Sequence, residues 1–235
     1  MDKRSTDHIP DHIPENLVSV SAGPAQLEGN LVVPAGAQGI VLFAHGSGSS
    51  RFSFRNRYVA SVLQQQGLAT LLLDLLTAKE EEIDLRTWQL RFDIGLLATR
   101  LVGATDWLLH NPTTQNLRIG YFGASTGSAA ALIAATKRPD VVKAVVSRGG
   151  RSDLAEAALP RVRAATLLIV GGNDFPIMAM NQEALTLLEQ AAEKRLEVIP
   201  NATHLFEEPG ALEQVAVLAG EWFKRHLCSE LYALG

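Results

Sequence analysis

Five residues, Gly123-Ala124-Ser125-Thr126-Gly127, constrain this chain more than any other stretch. They follow an apolar run at 117–122 and lead into Ser128-Ala129-Ala130-Ala131-Leu132-Ile133-Ala134-Ala135. Read physically, this is a buried strand, a sharp turn with serine at its apex, and a helix of small residues that packs closely. Gly-x-Ser-x-Gly in that setting is a nucleophile elbow. The serine needs a strained backbone, and a Cβ two residues to either side would meet the neighbouring strand or helix. An ordinary strand-to-helix turn fits the same pentapeptide, so its surroundings must decide.

Those surroundings supply an acid and a histidine, each after its own strand. The continuous apolar run at 165–170, extended by Gly171-Gly172, reads as a strand buried on both faces, and it ends in Asn173-Asp174. A further short strand at 195–199 precedes Asn201-Ala202-Thr203-His204. The chain order Ser125, Asp174, His204 is that of an α/β-hydrolase triad. Elimination among the six histidines agrees. His8 and His12 lie in a polar leader, His45 precedes the serine, His110 ends a helix, and His226 lies in the last helix. Only His204 follows a late strand on a loop. Asp153, after the sixth strand, is the alternative acid.

A fourth element falls where acyl transfer needs it. The strand at 39–44 runs into His45-Gly46-Ser47-Gly48-Ser49-Ser50-Arg51. Preorganised amides stabilise a tetrahedral oxyanion by several kcal/mol, on the order of ~3 kcal/mol per donor. The expected donors are the amides of Thr126, just after the nucleophile, and Ser47, between two glycines. The rival reading, a phosphate-binding loop, is the weaker one, because Gly46-x-Gly48 lacks the following Gly-Lys-Ser/Thr.

The remaining pattern alternates strand and helix. Strands are expected at 16–22, 26–33, 39–44, 68–75, 117–122, 141–147, 165–171 and 195–199. Helices are expected at 55–66, 177–192 and 210–227. Leu90, Ile94, Leu97, Leu101, Ala104 and Leu108 repeat at the spacing of one long amphipathic helix. Lys79-Glu80-Glu81-Glu82 reads as an acidic loop. The fold class is therefore α/β: a mostly parallel eight-stranded sheet flanked by helices, with active residues at the carboxyl ends of its strands. The interval 150–164 is too short for a cap domain, so an open site is expected, lined in part by Phe52, Phe175 and Phe206.

Composition excludes several alternatives. The chain has 235 residues, 47% of them hydrophobic, enough to bury a sheet on both faces in one domain over 16–228. Its net charge of −4 gives no reason to expect a nucleic-acid partner. No apolar stretch has the length of a membrane span, so no membrane partner is expected either. Residues 1–15 read as a flexible leader and 229–235 as a tail. Within the leader, Asp7-His8-Ile9-Pro10 recurs as Asp11-His12-Ile13-Pro14, a polar repeat read as leader sequence in preference to a metal site. The single cysteine, Cys228, cannot form an internal disulfide and fits a reducing cytoplasm. No metal and no cofactor is expected.

The loop His45 to Arg51, the Gly123-x-Ser125-x-Gly127 elbow, the Gly171-Gly172-Asn173-Asp174 strand end and Thr203-His204-Leu205-Phe206 together resemble the dienelactone hydrolase-like branch of the α/β-hydrolases. The resemblance spans roughly residues 16–227. It implies hydrolysis of a small-molecule ester. Dienelactone hydrolases carry a cysteine nucleophile where this chain has Ser125, which favours a general serine esterase. Relatives of this kind also occur fused behind a phosphoribosyltransferase domain.

The expected reaction is two-step acyl transfer through Ser125, His204 and Asp174, on small or accessible acyl groups, lactones included. The alternatives are an amidase, peptidase or acyltransferase using the same triad, and a hydrolase-fold binding protein with little turnover. Arginine outnumbers lysine 15 to 6, and several arginines fall at the active edge. Arg51 and Arg148 are the candidates to meet a substrate anion, against the alternative that the protein's own acids occupy them. Arg51, inside the turn, is expected to be structural.

Overall fold

The protein is described by a computed structural model over residues 14–228. The leader's Asp-His-Ile-Pro repeat through Ile13 and the tail at 229–235 lie outside the described residues. Eight strands form one sheet: β1 (Glu15–Ala22), β2 (Ala25–Val32), β3 (Gly39–Ala44), β4 (Ala69–Leu73), β5 (Arg118–Ala124), β6 (Val142–Arg148), β7 (Ala165–Gly171) and β8 (Lys194–Ile199). Their spatial order is β1-β2-β4-β3-β5-β6-β7-β8. β2 pairs antiparallel with both β1 and β4, and every other pairing is parallel. The central strands β3, β4 and β7 are buried along their whole length, which is why they read as unbroken apolar runs.

Among the described residues six α-helices accompany the sheet: α1 (Phe54–Gln65), α2 (Ala78–Thr87), α3 (Ile94–His110), α4 (Thr126–Lys137), α5 (Phe175–Leu187) and α6 (Ala211–Leu227). Strand alternation sorts the core into two layers. Leu42, Leu71 and Tyr121 face α3 and α4, with Leu101 and Leu132 among their partners. Val41, Phe43 and Phe122 face α1 and α6, against Leu63, Trp222 and Phe223. Each such large apolar side chain contributes about 1.5–3 kcal/mol when fully buried.

Two local expectations are corrected. Lys79 to Glu82 do not form a loop but the first turns of α2. Thr77 and Glu80 make a reciprocal capping box, and Glu80 and Glu81 lie at the positive end of the helix dipole. The long helix expected from Leu90 is split. Residues Leu90–Phe92 form a 3-10 turn, and α3 starts afresh where Asp93 Oδ1 accepts from the Leu96 amide at 2.9 Å. Elsewhere the bounds move by a few residues: β1 takes in Glu15, and α5 starts two residues early at Phe175 and ends at Leu187. Between β6 and β7 runs a 3-10 segment, Ser152–Arg161, in place of a cap domain.

Candidate active site

The end of β5 places Ser125 at φ 50° and ψ −119°, a positive φ forced on a non-glycine residue. Two glycines make this turn possible by having no side chain. A Cβ on Gly123 would lie 2.4 Å from Ser128 Cα, and one on Gly127 would lie 2.2 Å from the Ala44 carbonyl oxygen. The strained residue is fastened on both sides. Its amide donates to the Arg148 carbonyl at 3.1 Å, and its own carbonyl accepts from Ser128 and Arg151, each at 3.1 Å. The elbow is thereby locked to the end of β6.

Asp174 and His204 arrive from the ends of β7 and β8. His204 Nδ1 lies 2.6 Å from Asp174 Oδ2, and its Nε2 lies 3.3 Å from Ser125 Oγ. Asp174 stands at the N-cap of α5 yet makes no side-chain cap bond, which leaves its carboxylate to the imidazole. The acid and histidine loops are laced together: the Asn173 amide donates to the Ala202 carbonyl, and Asn173 Nδ2 to the Asn201 carbonyl, both at 2.9 Å. Thr203 steadies the histidine loop by donating through its hydroxyl to Glu208 Oε1 at 2.6 Å and through its amide at 3.0 Å. That bonding holds the Glu208 carboxyl below the usual carboxylate range. Asp153, the alternative acid, is engaged elsewhere. Arg151 binds it in bidentate fashion at 2.8 and 2.7 Å and lowers its pKa.

Phe206 does not line the site. It is 1% exposed, with φ 55°, and its ring packs in the layer that holds Phe122 and Phe223. Burial of an aromatic anchors the loop two residues after His204, so its role is to hold the histidine in place. Phe52 and Phe175 are exposed, in keeping with an open site.

The two candidate arginines have opposite surroundings. The Arg51 amide donates to Asp74 Oδ1 at 2.7 Å, and its guanidinium pairs with Asp74 Oδ2 and, at 2.6 Å, with Glu28. Its charge is committed to two carboxylates of the protein, and its plane stacks on Phe52 at 4.3 Å. Arg148 is 8% exposed and, among the described residues, its guanidinium has neither an acid nor a hydrogen-bond partner; its buried Nη1 is unsatisfied. Burial, reinforced by the nearby charge of Arg55, pushes its pKa down to about 10.

The loop after β3 sits against the elbow. A Cβ on Gly46 would come within 3.3 Å of Ser125 Cβ. His45 braces this loop: Nδ1–H donates to the Gly46 carbonyl at 2.9 Å, while Nε2 accepts from the Leu75 amide at 3.1 Å. Burial lowers its pKa, consistent with this neutral tautomer. The Ser47 amide is not free as expected. It donates to Thr126 Oγ1 at 2.8 Å, a contact across the fold that the motif alone does not disclose. A cavity of about 450 Å³ adjoins this loop, lined by His45, Ser49, Arg51, Asp74 and Lys79 among others but by none of the triad. No cluster able to hold a metal ion occurs among the described residues, and none of their helices is long and apolar enough to cross a membrane.

Comparison with known proteins identifies the family and the fold. The dienelactone hydrolase family profile matches residues 27–226. A crystal structure of a dienelactone hydrolase from Anabaena variabilis is 70% identical, with a TM-score of 0.89 over 92% of this chain and 100% of that one. An esterase from Pyrococcus furiosus, 18% identical, shares the fold with a TM-score of 0.76 over 92% of each chain. A provisionally named phosphoribosyl transferase of Mycobacterium tuberculosis is 56% identical over 90% of this chain, which spans only 46% of that protein. The elbow at the end of β5, the eight-stranded sheet that carries it and the profile match over most of its length agree: this chain belongs to the dienelactone hydrolase family.

Proposed function

We propose that the chain hydrolyses carboxylic esters, including lactones, by acyl transfer through Ser125. The observation that carries this reading is the hydrogen-bonded line from Asp174 through His204 to Ser125 Oγ. As Oγ attacks the carbonyl carbon, His204 Nε2 takes its proton, and Asp174 holds Nδ1–H and offsets the imidazolium charge. The oxyanion forms beside the Thr126 amide, a first-turn amide of α4 with no intrahelical acceptor. Collapse expels the alcohol, which leaves with the proton from His204. Water then attacks the acyl-enzyme with His204 as base, releasing the acid and restoring Ser125.

The exposed Phe52 and Phe175 support small or accessible acyl groups. Arg148 supports a substrate that carries its own anion, because a buried cation without a partner is costly and a substrate carboxylate would satisfy it. The name of the Anabaena relative supports a lactone among the substrates. We assign the phosphoribosyl transferase name of the M. tuberculosis relative to the part of that protein outside the match, since the match takes in 90% of this chain but only 46% of that protein. A free Cys228 suits a reducing cytoplasm.

The test is turnover of p-nitrophenyl acetate. The wild type should release nitrophenol with an initial burst, and Ser125→Ala should lose ~10³-fold or more of the rate with its Tm unchanged. Comparable rates in the two proteins would refute the assignment of the nucleophile.

A further inference from the structure

The contact between Ser47 and Thr126 determines which groups face the oxyanion. Thr126 is the residue after Ser125 and is 2% exposed. Its hydroxyl oxygen accepts the Ser47 amide at 2.8 Å. A threonine hydroxyl has one proton to give besides the lone pairs it offers. Among the described residues nothing accepts that proton, although the group is buried. Burying a hydroxyl with its proton unplaced forfeits its bond to water without replacement, so such a donor in a folded site calls for an acceptor.

Geometry narrows where that acceptor stands. The Thr126 side chain bridges from the first turn of α4 to the loop after β3, and Gly46 of the same loop is packed against Ser125 Cβ. The hydroxyl therefore lies in the seam between elbow and loop, beside the residue whose Oγ would carry the tetrahedral carbon. With its amide directed at Thr126 Oγ1, Ser47 is not aimed at the substrate. An N–H donated to a hydroxyl oxygen polarises that hydroxyl and strengthens its own O–H as a donor.

We propose that the Thr126 hydroxyl is an oxyanion donor of this site, polarised by the Ser47 amide, so that Thr126 serves the tetrahedral intermediate through both its backbone N–H and its side-chain O–H. Ser47 is then a positioning residue, acting through Thr126. This rests on the ester-hydrolase reading above and deepens it. The rival arrangement is that the hydroxyl merely plugs the Ser47 amide in the free protein and withdraws when substrate binds.

Thr126→Val and Thr126→Ser on the full chain separate the two, with kcat and KM for p-nitrophenyl acetate, the Ki of an aryl trifluoromethyl ketone, and Tm measured on each. Valine keeps the shape and removes the O–H, whereas serine keeps the O–H. Removing one oxyanion donor lowers kcat by ~10²–10³-fold. Thr126→Val should fall by about 10²-fold in kcat with KM little changed, and its Ki should rise in parallel, because the ketone adduct presents the same oxyanion. Thr126→Ser should recover most of that loss. A Thr126→Val protein as fast as the wild type, or faster, would overturn the proposal in favour of the plug. Equal losses in both variants with a lowered Tm would overturn it in favour of a packing role. Wild-type protein without esterase turnover would instead remove the reaction itself, a failure distinguishable from either outcome.

Discussion

The two flanks of Ser125 are built differently. On the side of β3 and β4 the charges are consumed internally: Arg51 by Asp74 and Glu28, and, in the segment that follows β4, Arg91 by the fully buried Asp84. His45 is likewise saturated, between Gly46 and Leu75. On the side of β6 to β8, polar groups converge on the nucleophile and capacity is left over. His204 reaches Ser125 at 3.3 Å, a loose contact, and the Arg148 guanidinium has no partner among the described residues. The first flank behaves as a buttress, its charges paired within the protein so that the loop keeps its shape. The second holds the groups that the proposed reaction would engage with the substrate. Apo sites commonly show such long catalytic hydrogen bonds, which tighten when substrate is bound.

The largest effect expected from this contrast concerns two acids of the second flank. Asp174→Asn should keep the fold and lose ~10³–10⁴-fold in kcat, because an amide can hold His204 in the wrong tautomer. Asp153→Asn should lose only its ion pair with Arg151 and stay within a few-fold of the wild type. Steady-state kinetics on the pair would break the contrast if the two results were exchanged.

A smaller effect separates the arginines. Arg148→Met should weaken an ester bearing a free carboxylate by roughly 2–3 kcal/mol in kcat/KM, the scale of a charge-assisted hydrogen bond, and leave a neutral ester of equal size almost unchanged. Arg51→Met should do the reverse: both esters fall together, modestly, and Tm drops as Asp74 loses its cation. A matched substrate pair assayed on both variants sharpens the comparison. If Arg148→Met also loses both esters together, Arg148 belongs with the buttress.

Much of this was legible in the chain because strand and site share a signal. Buried parallel strands read as apolar runs, and the reactive groups stand where those runs end, so Ser125, Asp174 and His204 could be named with their order. The commitment of Arg51 to the protein was also expected, although its partners Asp74 and Glu28 each lie 23 residues away in sequence. What escaped was tertiary or local in a different register. Phe206 looked like pocket wall because an aromatic on a loop carries no mark of which way it turns. The acidic run at Lys79 to Glu82 hid α2, although Thr77-x-x-Glu80 spelled out its capping box. The bond between Ser47 and Thr126 joins residues 79 apart in sequence, and no local pattern encodes it.

The central claim is that Ser125 is an activated nucleophile on a flank built to receive substrate. Intact-mass and peptide mass spectrometry after treatment with a fluorophosphonate tests it most directly. The account predicts one adduct per chain, on Ser125, with esterase activity lost in step with labelling and no adduct in the Ser125→Ala protein. Modification of another residue, or full labelling of Ser125 with turnover retained, would contradict it.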